Sequence, residues 1–278
     1  MALLQAILDG LMLGGVYAVI SIGLTLVFGV VSIVNFAQAQ FLMVGMYVAY
    51  FAWRHLGLDP LVGSLLAFAV VFCLGYLIQQ QLIRRVLKAP EVAQIFLTVG
   101  ILIVLENLAL ISFGSEFKSV QVWYQNEAIE FFDLIVSMPY AIAFCASVLA
   151  GLVIWWVLAK TWWGRTVRAT AQDPMAAKLI GIDPDRVYRL AFGLGVGLTA
   201  FGGAIILPYL TVSPAAGEQF GVLMFTVVVR AVVGGLSVGI IQSVSGLYLP
   251  LQLQNLVLFV VFILTLALRP EGLLRHKS

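Results

Sequence analysis

GRTVRATAQDPMAAKLIGIDPDR, residues Gly164 to Arg186, is the longest polar interval between strongly apolar segments, and it combines many charges with clear helix punctuation. Asp173 is a good N-cap, Pro174 fits the first helical position where no backbone donor is needed, and Gly181 can take the left-handed conformation that ends a helix. A short helix from Pro174 to Ile180 follows. Asp183 and Pro184 repeat the start signal, so a second helix begins there and runs into the apolar stretch from Val187 to Leu210. In a chain this hydrophobic, such a helix, glycine turn and helix belong at a membrane surface, meeting water and partners.

Of 278 residues, 62% are hydrophobic and 10% charged, where a soluble domain has about 25% charged residues. With a mean hydropathy of +1.08, the chain reads as an integral membrane protein. Its net charge of +2 says little about partners, and nothing suggests nucleic-acid binding. Cys73 and Cys145 lie inside apolar segments without metal-ligand spacing and read as small buried thiols, not a disulfide. No Lys or Arg precedes Arg54, so the first segment is expected to stay as a span and not leave as a signal peptide.

Long unbroken apolar runs exclude a barrel, since a helix needs roughly 20 residues to cross about 30 Å of hydrocarbon. The fold expected is an all-α helical bundle of eight to nine membrane segments, some discontinuous. The candidate segments are Leu3–Val30, Phe41–Trp53, Leu61–Ile83, Val92–Phe113, Met138–Leu158, Val187–Leu210, Phe220–Val229, Val232–Leu247 and Leu251–Leu268, the second, seventh and eighth being short. Basic residues mark cytoplasmic connections: Arg84, Arg85 and Lys88, then Lys160, Arg165, Arg168, Lys178, Arg186 and Arg189, then Arg269, Arg275 and Lys277. The interval Gly114–Ser137 sets Glu116, Glu127, Glu130 and Asp133 against Lys118 and suits the outer side. Counting back places the N-terminus outside and the C-terminus in the cytoplasm. Trp53, Trp123, Tyr124, Trp162 and Trp163 fall at span ends as interfacial anchors. The spacings Gly10/Gly14, Gly193/Gly197 and Gly235/Gly239 allow close helix approach.

Two features could carry chemistry. SIVNFAQAQ, Ser32 to Gln40, sets Asn35, Gln38 and Gln40 between apolar stretches. It is either a tight interfacial turn or the unwound joint of a discontinuous helix, which would offer amide and backbone groups to a polar solute. Glu106, followed by Asn107, is the acidic residue well inside the fourth span, either a pathway group or a carboxyl bonding neighbouring helices. Nothing resembles an enzyme's site: His55 and His276 lie at loop or tail positions, no metal constellation is present, and no phosphate-cradling loop occurs. No cofactor is expected to bind directly. If ATP is used, another chain binds it.

The loop closely resembles the cytoplasmic loop of permease subunits of ABC importers for branched-chain amino acids, through Gly164, Arg165, Arg168, Ala169, Gln172, Asp173, Ala176, Ala177, Gly181 and Ile182. Asn35, Phe36, Ala37 and Gly45 resemble that family's first broken helix, Thr98 and Gly100 its fourth span, and Arg269, Pro270, Glu271 and Gly272 its ending. The resemblance implies one transmembrane permease domain over residues 1–278, with a coupling loop at 160–186. It further implies two cytosolic ATPase subunits, a second permease chain (identical or different), an external solute-binding protein, and residence among lipid in a bacterial inner membrane. Pro174–Ile180 would be the coupling helix, with Ala176 and Ala177 small enough for docking, Gly181 permitting the exit, and Arg165, Arg168 and Lys178 facing partner carboxylates. One departure stands out: where the family continues through a glycine-rich turn after Val229, Arg230 and Ala231 follow directly, and Arg230 reads as a turn residue.

The resulting reading is a non-enzymatic permease subunit for branched-chain or other hydrophobic amino acids. Its pathway residues would be Asn35, Gln38, Gln40, Glu106 and Asn107, and its ATPase-coupling residues Gly164, Arg165, Arg168, Gln172, Asp173, Ala176, Ala177 and Gly181. The nearest alternative is the same machinery importing urea or short amides. From a different class comes a self-contained channel or ion-coupled carrier with Glu106 as its cation site.

Overall fold

A first apolar run with one charge, Asp9, gives a 30-residue helix, α1 (Ala2–Val31). The computed structural model describes residues 2–131, 134–227 and 231–249, with isolated positions between 253 and 263. After α1 come α2 (Gln38–Leu56) and α3 (Pro60–Ile78), the latter extended through a π-helical turn at Gln79–Ile83 into α4 (Arg84–Val86). Next are α5 (Glu91–Phe113), the antiparallel strands β1 (Ala128–Phe131) and β2 (Leu134–Ser137), and α6 (Met138–Lys160). Then α7 (Trp162–Gln172), α8 (Pro174–Leu179), α9 (Pro184–Ile205), α10 (Ala216–Val227) and α11 (Ala231–Tyr248) follow. Apart from those isolated positions, the ninth expected segment, Leu251–Leu268, and the basic C-terminal tail lie outside the described residues, as does Arg230.

Among the described residues five helices are long and apolar enough to cross a membrane: α1, the continuous Pro60–Val86, α5, α6 and α9. The chain is a multi-pass, mostly helical membrane protein. Two thirds or more of the spanning windows of α1 and α9 are buried inside the protein, against 17% for α5 and α6. So α1 and α9 form the centre, and α5 and α6 present apolar side chains outward, as only a bilayer or another chain permits.

The glycine spacings are the reason the centre closes. Gly10 and Gly14 on α1 meet Gly239 and Gly235 on α11, so that a Cβ built on Gly10 would lie 2.7 Å from the Gly239 carbonyl oxygen. Gly193 and Gly197 on α9 take the rings of Phe72 and Phe68 of α3 at 3.2 Å. Small residues let backbones approach so that dispersion accumulates where no hydrophobic drive acts between helices.

Both ends of the bundle are stitched. At one, the Gln5 amide donates to the Ile135 carbonyl (2.6 Å) and accepts from the Ile135 N–H (3.0 Å), and the Lys118 and Val212 backbones pair. There the Tyr124 hydroxyl donates to Asp59 at 3.2 Å, and burial together with that carboxylate pushes the phenol's pKa upward. Tyr124 is therefore a buried staple and not an interfacial anchor, whereas Trp123 is exposed. At the other end Arg84 pairs with Asp185 at 2.6 Å and Arg189 donates to the Tyr76 hydroxyl at 3.1 Å.

Three expectations are corrected. The polar interval holds one helix more than expected: α7 precedes the short helix, capped by Thr161, whose hydroxyl accepts from the Gly164 N–H at 3.2 Å. The acidic interval Gly114–Ser137 holds a small hairpin, which β-branched and aromatic residues favour, so the chain is not purely helical. Cys73 and Cys145 are free and exposed on the protein's outer surface, because an apolar helix in lipid can bury its residues without burying them in protein.

Gly239→Leu should destabilise the bundle by about 1–3 kcal/mol through overpacking against α1. Gly29→Leu, whose Cβ meets nothing within 4 Å, should be neutral. Thermal unfolding of the two variants in one mild detergent makes the comparison.

Candidate functional site

The α1 helix stops at Val31 and α2 starts at Gln38, and Ser32 stands between them with a left-handed φ of 57°, which is uncommon for a non-glycine residue. The joint lies inside the protein: Asn35, Gln38 and Gln40 are all 1% exposed or less. Thr199, which the joint touches, is 15 residues beyond the start of α9, about 22 Å along that helix. In a hydrocarbon layer about 30 Å thick, that is the interior of the bilayer and not its edge. Of the two sequence readings, the unwound joint is the one present.

Several of its freed groups are satisfied within the chain. The Asn35 side chain accepts from the Ala37 N–H (3.2 Å) and donates to the Gln38 carbonyl oxygen (2.9 Å). The Gln38 amide then donates to the Thr199 hydroxyl (2.6 Å) and to the Gly195 carbonyl (3.3 Å). The Thr98 hydroxyl lies 3.4 Å from the Val34 carbonyl. Gly23 and Gly195 let α1 and α9 cross close enough for Thr199 to reach Gln38: a Cβ on Gly23 would lie 2.6 Å from its hydroxyl. Asn35 and Gln38 are thus held wholly inside the joint.

Gln40 behaves differently. Its amide nitrogen donates to Glu106 at 3.2 Å, and its buried carbonyl oxygen has no partner where it packs against Gly217 at the start of α10. Glu106 is only partly buried, and the exposed Glu218 beside Gly217 lies within electrostatic reach of it. Glu106 sits 15 residues into α5, again about 22 Å along the helix. Glu106 is thus a partly buried carboxylate within a candidate span, with a second carboxylate in electrostatic reach, a group too costly to leave against lipid. Asn107 lies apart from them: the residue is exposed on another flank, and its amide donates to the Ile103 carbonyl at 2.8 Å. Thr199, Gly217 and Glu218 escaped the sequence reading; a hydroxyl, a glycine and an acid at the margins of apolar segments carry no local signal of what they face.

The coupling segment follows its punctuation. Asp173 accepts from the N–H groups of Met175 (2.8 Å) and Ala176 (3.0 Å), Gly181 takes φ 86°, and Asp183 accepts from the Asp185 N–H (3.1 Å). Ala177 turns inward and is buried, with its carbonyl accepting from the Ile182 N–H at 3.0 Å. What α8 presents outward is Met175, Leu179 and Ile180, which are 76%, 88% and 74% exposed. Ala176, Gln172 and Lys178 are exposed beside them. Gly164 is buried against the Leu158 carbonyl, to which the exposed Arg168 also donates, and Arg165 lies 5.1 Å over the Trp162 ring. Among the described residues no group of three or more His, Cys, Asp or Glu could hold a metal ion.

Residues 6–266 match the family model described as branched-chain amino acid transport system, permease component. The chain is 28% identical to the high-affinity branched-chain amino acid transport system permease protein LivH of Salmonella typhimurium, across 98% of this chain and 95% of the relative. It is equally similar to BraD of Pseudomonas aeruginosa, described in the same words, over the same shares. A probable branched-chain amino acid transport permease of Methanocaldococcus jannaschii is 25% identical, over 97% and 92%. The alignment with the Salmonella protein spans 292 positions, more than this chain's 278 residues, so the relative holds residues that this chain lacks. No solved structure matches.

Thr199→Val keeps shape but removes the Gln38 partner, and should cost about 1–3 kcal/mol of stability. Asn107→Leu should cost little. Chemical denaturation in detergent, read for both variants, checks the difference.

Proposed function

This chain belongs to the permease-component family of branched-chain amino acid transport systems, and on that footing we propose that it is the membrane subunit of an ATP-binding cassette importer for branched-chain or other hydrophobic amino acids. The observation that carries the coupling half of the proposal is α8, a six-residue helix whose Met175, Leu179 and Ile180 stand exposed at a bundle end rich in basic residues. An apolar patch with a Lys178 rim suits the groove of a partner protein and not water. Arg84–Asp185 and Arg189–Tyr76 tie the chain just beyond α8 to α3 and α4, so displacement of α8 by a partner passes directly into the spans. ATP binds and is hydrolysed on that partner.

The transport half rests on the open face at Gln40, Glu106 and Glu218. A carboxylate within a candidate span on the outside of one chain, with a second in electrostatic reach, calls for a second permease chain, identical or different, to enclose a watered path between the two chains. Asn35 and Gln38 keep the joint in shape at the edge of that path, and amide, carboxylate and apolar groups together suit a zwitterion with a hydrocarbon side chain. Helices α2, α10 and α11 complete a count of eight described membrane segments, with residues 1–278 acting as one transmembrane domain. The α8 end faces the cytoplasm of a bacterial cell and the Gln5 end faces an external solute-binding protein. The importer of urea or short amides remains the variant in cargo.

Double substitution of Leu179 and Ile180 by Asp should abolish co-purification of ATPase subunits and ATP-dependent uptake while leaving the permease folded. Glu106→Gln should lower uptake at least about tenfold with the ATPase still bound, as expected for a lost charged contact. Uptake by the chain alone in ATP-free vesicles would overturn the proposal in favour of a channel or ion-coupled carrier.

A further inference from the structure

At the Gln5 end of the bundle, away from the Gln40 and Glu106 face, a cavity of about 570 Å³ with mixed polar and apolar walls opens between α1, α6, α11 and the hairpin. Gln5, Asp9, Ile135, Tyr140 and Ser243 line it. Gln5 is fixed by its two bonds to Ile135, and its amide also donates to one carboxylate oxygen of Asp9 at 3.0 Å, the other oxygen accepting no hydrogen bond from the described residues. Asp9 forms no ion pair within the described residues. A single carboxylate with otherwise neutral walls fits an ammonium group better than a metal ion, which would draw on several such ligands.

The same three helices carry a second cavity, of about 630 Å³, on their next turns. Ala18 and Ile22 of α1, Phe144, Gly151 and Leu158 of α6, and Leu236 of α11 line it, and its surface is almost wholly apolar. From Phe144 to Leu158 the groove follows α6 for about 21 Å, more than the roughly 15 Å of hydrocarbon in one leaflet. Ser147 lies on this groove, and its buried hydroxyl has no partner. Seven residues separate it from Tyr140, about 10 Å along the helix.

The two cavities lie one beyond the other along the same three helices, the one with the carboxylate nearer the helix ends and the apolar one deeper. We propose that together they hold a single phospholipid of the amine-headgroup class, its ammonium on Asp9 and one acyl chain laid in the groove between α1 and α6. Charge selects the headgroup: the neighbouring interval carries Glu116, Glu127 and Glu130 against Lys118, which repels a net-anionic lipid and accepts an amine. Hydrocarbon fills an apolar groove that water leaves dry. The site would fix the first helix against the sixth on the flank opposite to a translocation path.

The test is lipid analysis of the full chain purified in mild detergent from membranes containing both phosphatidylethanolamine and phosphatidylglycerol. Wild type should retain about one phosphatidylethanolamine per chain, resistant to further washing. Asp9→Asn, which keeps the size of the side chain and an acceptor for Gln5, should lower that retention about tenfold, the effect of losing a charged hydrogen bond. Gly151→Phe should displace the acyl chain, since a Cβ there meets only the Ile22 methyl at 3.8 Å and leaves the helices room to stay packed. Equal retention by wild type and Asp9→Asn, or retention without headgroup preference, overturns the proposal. So does crosslinking of a cysteine at Gly151 to residues 251–268, which would make the chain's own last apolar segment the occupant.

Discussion

A helix interrupted inside a bilayer must find a partner for each polar group that it frees, because hydrocarbon supplies none. The break between α1 and α2 answers part of that demand with Asn35, Gln38 and Thr199, all essentially inaccessible. The rest of the bundle follows from where this tier sits. One apolar cluster gathers Val16, Ile20 and Leu24 of α1 with Leu198, Phe201 and Ile205 of α9, and another gathers Leu26, Val27 and Val30 with Ala191, Phe192 and Val196. The tier lies close to where the first gives way to the second, so the two halves of the core are joined through hydrogen bonds. Directional bonds hold one register where apolar packing alone tolerates sliding.

Close approach makes the tier possible. The Gly23 and Gly195 contact brings Thr199 to Gln38, and the Gly10, Gly14, Gly235 and Gly239 contacts hold α11 on the other side of α1. With α1 and α9 fixed at the centre, α5 and α6 are left at the periphery, where α5 turns Glu106 outward. The single chain is consequently closed in its core and open at its polar face, the asymmetry that the proposed pairing with a second permease chain accounts for.

How much of this the sequence disclosed depended on how local each interaction is. The caps of α8 and α9 were legible because Asp173 and Asp183 bond N–H groups two or three residues away, and Gly181 adopts its positive φ without outside help. The glycine spacings announced close crossings, but not that the pair on α1 meets the pair on α11. Gln40 and Glu106 each stood out alone; their hydrogen bond spans 66 residues and has no local trace. Ala177 and Gly164 matched a family pattern and invited a docking role, yet both face inward, since small residues serve internal packing as well as external contact. The cysteines misled for the reason that makes membrane proteins distinct: the apolar outside inverts the usual inference from hydrophobicity to burial.

The central claim is that Glu106 faces a watered path in the assembled transporter although it lies at the depth of lipid. Cysteine labelling measures this directly, after replacement of the exposed Cys73 and Cys145 by Ala. In vesicles engaged in transport, Glu106→Cys should react with a water-soluble, membrane-impermeant thiol reagent, and Val104→Cys, on an exposed apolar flank of the same helix, should not. Protection of position 106 equal to that of position 104 would place Glu106 against lipid or protein and contradict the account.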